Sequence, residues 1–192
     1  MGSIEAQVAA AWNTVLEMCE DRGWSTDRAR AMGDEEVGVL AAEFVTFGVH
    51  INAGDRAVFH PSGPSIKKQA VFAAADSAAR IVLVTRVKLS SATLKSLNAD
   101  AINRGIEVQP FTLEELQFNV SRHDLQPKFA LLTAAAEEDV LRNLGLTNRA
   151  LLPAILASDP MARYLGLRKG QIVRVDRTNQ TSGASVNYRS CV

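Results

Sequence analysis

The sequence predicts an α+β protein of two domains, residues 1–119 and 120–192. Three observations carry this. Over the first 119 residues, apolar stripes of helical spacing alternate with short strand-like runs, the order expected of an α/β layer. The last forty residues pack a capped helical turn, a glycine stop, a basic tight turn and a β-hairpin pattern into little chain. Charge divides at nearly the same place. Residues 1–120 hold 11 Lys+Arg against 15 Asp+Glu, a net of −4, and residues 121–192 hold 10 against 6, a net of +4.

The elements of the first domain come in order. Val8, Trp12, Val15, Leu16 and Cys19 recur every three or four residues, which predicts a helix over 4–22 that Gly23 ends. Val37, Leu40, Ala41, Phe44 and Phe47 predict a second helix over 35–47, with Gly48 as its stop. The period then shifts to two. Val49–Asn52 and Arg56–His60 read as a hairpin around Ala53-Gly54-Asp55. Pro61-Ser62-Gly63-Pro64 is a break, and Ile66–Ala79 is alanine-rich and helical. Ile81-Val82-Leu83-Val84 is a run typical of a strand buried on both faces. Ser91–Arg104 reads as a helix with Ser90-Ser91 at its start, and Gly105–Phe111 as a strand. Thr112 and Glu115 form a capping box that predicts a further short helix.

In the second domain, Ser158 and Asp159 precede Pro160. Ser and Asp are strong N-caps, and proline suits the first helical position because its missing N–H would be unpaired there. A short helix Pro160–Leu165 comes next, and Gly166 can take the left-handed conformation that ends it. Arg168-Lys169-Gly170 reads as a tight turn into a strand, Gln171–Arg177. Along that strand Arg174 and Asp176 point away from the face of Val173 and Val175. Thr178–Gly183 is a polar loop and Ser185–Cys191 the return strand.

Composition limits the function. The chain has 192 residues, 47% of them hydrophobic, which is enough for one large or two small cores. Its formal net charge is zero, from 21 basic and 21 acidic residues, whereas a free-standing nucleic-acid binder is usually plainly basic. Cys19 and Cys191 lie far apart and suggest neither a disulfide framework nor a zinc site, so reduced thiols are expected. The start, Met1-Gly2-Ser3-Ile4-Glu5, has neither the charge nor the apolar core of a signal peptide. Ala6 departs from a myristoylation start. No apolar run approaches the ~18 residues that span a bilayer, so no membrane partner is expected.

Candidate chemistry is sparse. His50 and His60 flank the predicted hairpin and could face each other, but no Cys/His cluster nearby completes a metal site. Ser90-Ser91 reads as a helix cap rather than a nucleophile. Asp34-Glu35-Glu36 reads as charge favoured by a helix dipole rather than a metal cluster. No Walker loop or dinucleotide fingerprint exists, so no cofactor, metal or catalytic residue is expected. The functional candidates are basic: Arg163, Arg168, Lys169, Arg174 and Arg177, accompanied by the only two tyrosines, Tyr164 and Tyr188. Arginine forks to carboxylates, and arginine and tyrosine are enriched among interface anchors.

One pattern is long and position-specific: Asp159-Pro160-x-Ala162-Arg163-Tyr164-x-Gly166-x-x-x-Gly170-Gln171-x-Val173, then Arg177, Thr181, Gly183, Tyr188 and Arg189. It resembles the C-terminal assembly domain of the fifth subunit common to eukaryotic nuclear DNA-directed RNA polymerases, a domain shared with the archaeal counterpart. His123-Asp124-Leu125-x-Pro127 resembles the segment that opens this domain. Trp12 to Trp24, with Cys19 and Asp21-Arg22-Gly23, resembles the first helix of the eukaryotic N-terminal jaw domain. Two departures point to a divergent lineage or specialised paralogue. Phe129 stands where the family has a second histidine, and Asn179-Gln180-Thr181 with Gly183-Ala184 replaces a loop that usually carries an acid and an arginine.

The resemblance implies a jaw domain with a restriction-nuclease-like α/β layer, plus a small α/β assembly domain with a β-hairpin. None of the six lysines has Asp or Glu two positions earlier, as such nucleases need, so no active site and no nuclease activity are expected. It implies a non-catalytic nuclear subunit, not a homo-oligomer, that helps to clamp the downstream double-stranded DNA while the large subunits carry the chemistry. The docking surface onto the largest subunit would use Pro160, Arg163, Tyr164, Gly166, Arg168, Lys169, Gly170, Arg177, Tyr188 and Arg189. His123 would hydrogen-bond structurally at the domain junction. Sparse phosphate contacts would fall on Arg56, Lys67 and Lys68 beside the Pro/Gly loop. The rival readings are a free-standing nucleic-acid-binding module and a small α/β enzyme.

Overall fold

Two four-stranded sheets organise the chain, one in each of two compact units, Met1–Asn119 and Val120–Val192. The computed structural model describes residues 4–31, 33, 37, 46–52, 54–60, 66–76, 78–179 and 183–192.

In the first unit the strands are β1 (Phe47–His50), β2 (Asp55–His60), β3 (Arg80–Thr85) and β4 (Glu107–Thr112), in the order β1-β2-β3-β4. β1 and β2 form the expected antiparallel hairpin, and β2, β3 and β4 run parallel. The long helix α1 (Ile4–Asp21) comes first in the chain, and then one turn, α2 (Asp27–Arg30). The two parallel crossovers are made by α3 (Lys68–Ala75) and α4 (Ser91–Asn103).

Strand alternation divides the core. Val58, Ile81 and Leu83 join Val71, Phe72 and Ala75 of α3 and Leu97 and Ala101 of α4 in one cluster. The alternate residues Ala57, Phe59, Val82 and Val84 are buried as well. Trp12 of α1 meets Phe59 edge-on at 6.1 Å, and Phe59 stacks on Phe47 at 5.1 Å. β3 is therefore covered on both faces, which is why its apolar run is continuous. A buried carboxylate anchors the start of β2 and β3. Asp55 accepts two hydrogen bonds from Arg80, at 2.6 and 2.8 Å, and the Arg80 guanidinium lies 4.0 Å from the centre of the Trp24 ring.

Two expectations need correction, and a third falls almost wholly outside the described residues. Gly48 is not a helix stop but the second residue of β1. A Cβ there would strike the Ala74 carbonyl of α3, so glycine serves the close approach of helix to strand. The helix expected over 35–47 lies outside the described residues apart from Val37, which is buried, and its last two positions, of which Phe47 is in β1. The capping box at Thr112 does form: Thr112 N–H donates to Glu115 Oε2 at 2.8 Å and Glu115 N–H to Thr112 Oγ1 at 3.2 Å. It opens a turn, not a helix. By contrast Ser90 caps α4 as expected, its Oγ accepting the Thr93 N–H at 3.2 Å.

The second unit holds β5 (Lys128–Leu131), β6 (Ala154–Ile155), β7 (Ile172–Asn179) and β8 (Gly183–Cys191), in the order β5-β7-β8-β6. β7 and β8 form a long antiparallel hairpin that pairs Asn179 with Gly183. Two helices, α5 (Ala134–Asn143) and α6 (Pro160–Leu165), complete it. Its core includes Leu152, Ile155, Met161, Ala162, Leu165, Ile172, Val173 and Val175. The fold is mixed α and β in both units.

Candidate docking surface

The tail folds as its residues dictate. Asp159 Oδ1 accepts the Met161 N–H at 2.9 Å, with Pro160 in the first turn of α6. Gly166 closes the helix at φ 65° and ψ 36°, a conformation that costs any residue with a Cβ. The chain then makes the basic turn. Arg168 N–H donates to Gln171 Oε1 at 2.7 Å, Gly170 N–H to the Cys191 carbonyl at 2.8 Å, and Gly170 sits at φ 87°.

The residues expected to dock are not presented alike. Pro160, Arg168, Lys169 and Arg177 are exposed; Arg163, Gly166, Gly170, Tyr188 and Arg189 are partly covered. Tyr164 is the correction. It is 4% exposed, with its hydroxyl accepting from Ser121 Oγ at 3.4 Å, so its ring belongs to the interior. Its place on α6 explains this, because Met161, Ala162 and Leu165 are buried with it. Strand alternation also splits the set. Arg174 pairs across the ladder with Tyr188, whereas Arg177 pairs with Ser185 and Arg189 with Val173, on the other face. Arg174 is held by Asp176 at 2.7 Å.

Exposed apolar side chains gather at the same end as the turn. The backbone of Ala157 donates to the Val192 carbonyl at 3.0 Å and that of Val192 to the Ile155 carbonyl at 2.9 Å. Leu156 and Val192 are therefore neighbours, 61% and 48% exposed. Arg149 reaches Gly170 with a 3.0 Å hydrogen bond, and Leu151, 63% exposed, is two residues away. Exposed cations beside exposed leucines suit a protein partner better than bulk water.

The three cations assigned to DNA separate too. The Arg56 side chain is only 11% exposed. It donates to the Ala74 carbonyl at 3.0 Å and to Asp76 at 2.9 Å, and it also touches His50. Arg56 braces β2 against α3, so its guanidinium is engaged inside the protein rather than offered to phosphate. Lys68 bonds Asp100 and Ser96, each at 2.6 Å. Lys67 is exposed.

The histidines lie apart. His50 pairs with Arg56 at one end of β2, and His60 is buried at the other, beside Thr85 in the parallel register. Burial pushes both imidazoles below their ordinary pKa, with Arg56 adding to the effect at His50 and Lys67 at His60. His123 is exposed, and its Nδ1 accepts the Leu125 N–H at 3.2 Å, a local turn bond. Among the described residues no group of three His, Cys, Asp or Glu could hold a metal. No helix among them is long and apolar enough to cross a membrane.

Comparison with known proteins gives this geometry its context. Residues 118–191 match the family model "RNA polymerase Rpb5, C-terminal domain". The "DNA-directed RNA polymerases I, II, and III subunit rpabc1" of Dictyostelium discoideum is 31% identical over 140 residues, 70% of this chain and 71% of that protein. The chain belongs to the Rpb5 family of RNA polymerase subunits. In Arabidopsis thaliana, "DNA-directed RNA polymerase subunit 5-like protein 1" is 28% identical over 93% of the chain and 92% of its own length. "DNA-directed RNA polymerases IV and V subunit 5B", from the same plant, is 27% identical over 95% and 88%. As an Rpb5-family protein the chain is a non-catalytic subunit of a multi-subunit polymerase and works in transcription with other subunits. A divergent paralogue within the family is consistent with these identities.

Two residues at this surface escaped sequence reading, Glu137 and Arg149. Glu137 is 4% exposed and pairs with Arg149 at 3.0 Å. In the sequence it stands beside Glu138 in the first turn of a helix, where acids are ordinary, so nothing marked it.

Proposed function

We propose that the second unit docks this subunit onto the largest polymerase subunit, and that the first unit projects as the lower jaw near downstream DNA in the nucleus. One observation supports the docking role above others: the segment matched by the Rpb5 C-terminal model carries exposed Arg168, Lys169, Leu151 and Leu156 around one ordered turn. A positive rim beside apolar side chains complements an acidic, partly apolar surface. In the first unit, Lys67, just before α3, is an exposed cation for sparse phosphate contact.

The test is recovery of tagged full-length protein from nuclear extract under mild salt. A multi-subunit polymerase core should come with it, and the large subunit recovered identifies the polymerase class. Arg168→Ala with Lys169→Ala should lower that recovery several-fold without lowering the melting temperature. Recovery of the tagged chain alone, or full recovery with the double variant, sinks the docking reading.

A further inference from the structure

One buried charge lies outside the docking residues named so far. Glu137, in the first turn of α5, is the helix's buried residue, while Val140 and Leu141 are only half-buried and Leu144 is 50% exposed. Both its oxygens are engaged. Oε1 accepts the backbone N–H of Ile172 at 2.8 Å, 35 residues along the chain, and Oε2 pairs with Arg149 at 3.0 Å. Arg149 also donates to the Gly170 carbonyl at 3.0 Å. Glu137 thus grips the basic turn at both ends of Gly170–Ile172, once directly and once through arginine.

Glu137 is the buried member of this pair, while the Arg149 side chain is 42% exposed, so solvent screens the attraction and its contribution to stability is modest. What it supplies is direction: both oxygens of one rigid carboxylate set the positions of two backbone groups. A turn already fixed need not be ordered when a partner arrives, which removes part of the entropy cost of association. We infer that Glu137 is a positioning residue that fixes the turn carrying Arg168 and Lys169 in its docking form, acting through Arg149 and the Ile172 N–H. This rests on the docking reading, but its first test does not.

That test is amide hydrogen exchange in the full-length chain. Glu137→Gln keeps an acceptor for Ile172 and removes the ion pair; Arg149→Met removes the pair and the Gly170 contact, and serves if the first variant misfolds. Each removes the ion pair that ties Arg149 to Glu137. Glu137→Gln leaves Ile172 a weaker, uncharged acceptor, and Arg149→Met frees the Gly170 carbonyl. Each should therefore speed exchange at Gly170 and Ile172 about tenfold while the β7–β8 ladder beyond stays protected. Unchanged exchange at both amides overturns the inference, and so does faster exchange throughout residues 120–192, which marks a merely structural role. The second test is polymerase recovery in a cycle with Arg168→Ala/Lys169→Ala. Positioning predicts that Glu137→Gln lowers recovery alone but adds nothing in the double-variant background; losses that multiply overturn it. If the double variant by itself leaves recovery unchanged, the docking reading fails, and the exchange result still decides whether Glu137 positions the turn.

Discussion

Cys19 and His60 illustrate how burial changes single side chains. The Cys19 thiol is fully covered, and burial pushes its pKa up to about 12, against the lowering from Arg22. Little thiolate exists at neutral pH, and the thiolate is the nucleophile. Native protein should therefore resist a thiol reagent at Cys19 and react at the rate of unfolding; immediate labelling in buffer, read by mass spectrometry, contradicts this. His60 and His50 move the other way. Their folded pKa values lie below the ordinary 6.5, so below about pH 6.5 the unfolded chain binds protons that the folded chain refuses. Stability should fall as pH drops from about 6.5 toward the folded values, by at most about 1.4 kcal/mol per pH unit for each group. Urea unfolding at about pH 7.5 and about pH 5.5, either side of the ordinary histidine value, measures it, and His60→Asn should flatten the slope. Gly166, at φ 65°, is a position where a β-branched side chain is poorly tolerated. Gly166→Val should cost the second unit about 2 kcal/mol or more, seen in its melting.

Elements were legible where one period governed them. α1, the β1–β2 hairpin, β3, α4 and the β7–β8 hairpin arise from stripe, alternation or cap, because each presents a whole face to a core. β5 and α5 had no such signature. β5 is largely exposed, and α5 buries an acid rather than an apolar stripe. Gly48 shows the opposite failure. Its position after an apolar stripe looked like a helix stop, but the tertiary approach of α3 decides its role. Gly48→Ala should therefore destabilise the first unit by about 1–3 kcal/mol through overpacking, even though alanine is tolerated in strands. Differential scanning calorimetry of the single variant checks this, and an unchanged melting temperature contradicts the close packing of β1 on α3.

At the scale of the whole chain, zero net charge bears on the rival reading of a free-standing nucleic-acid binder. With 21 basic and 21 acidic residues, and Arg56 and Lys68 engaged within the protein, the chain offers no excess of cations to phosphate. The purified chain should give no gel shift with duplex DNA at about 1 µM protein and physiological salt, since without that excess only weak non-specific binding is supported. A tight, salt-sensitive shift favours the rival. The sequence alone determined the mixed α and β class, the capped α6 and its glycine stop, and the family, because these rest on local conformational preference and on residues at consecutive positions. Only the tertiary structure decided that Tyr164 is interior, that Arg56 braces β2, which residues of β8 stand opposite the basic residues of β7, and that Glu137 and Arg149 hold the turn. Burial and long-range pairing depend on residues brought together from tens of positions apart, and no local pattern encodes which partner arrives.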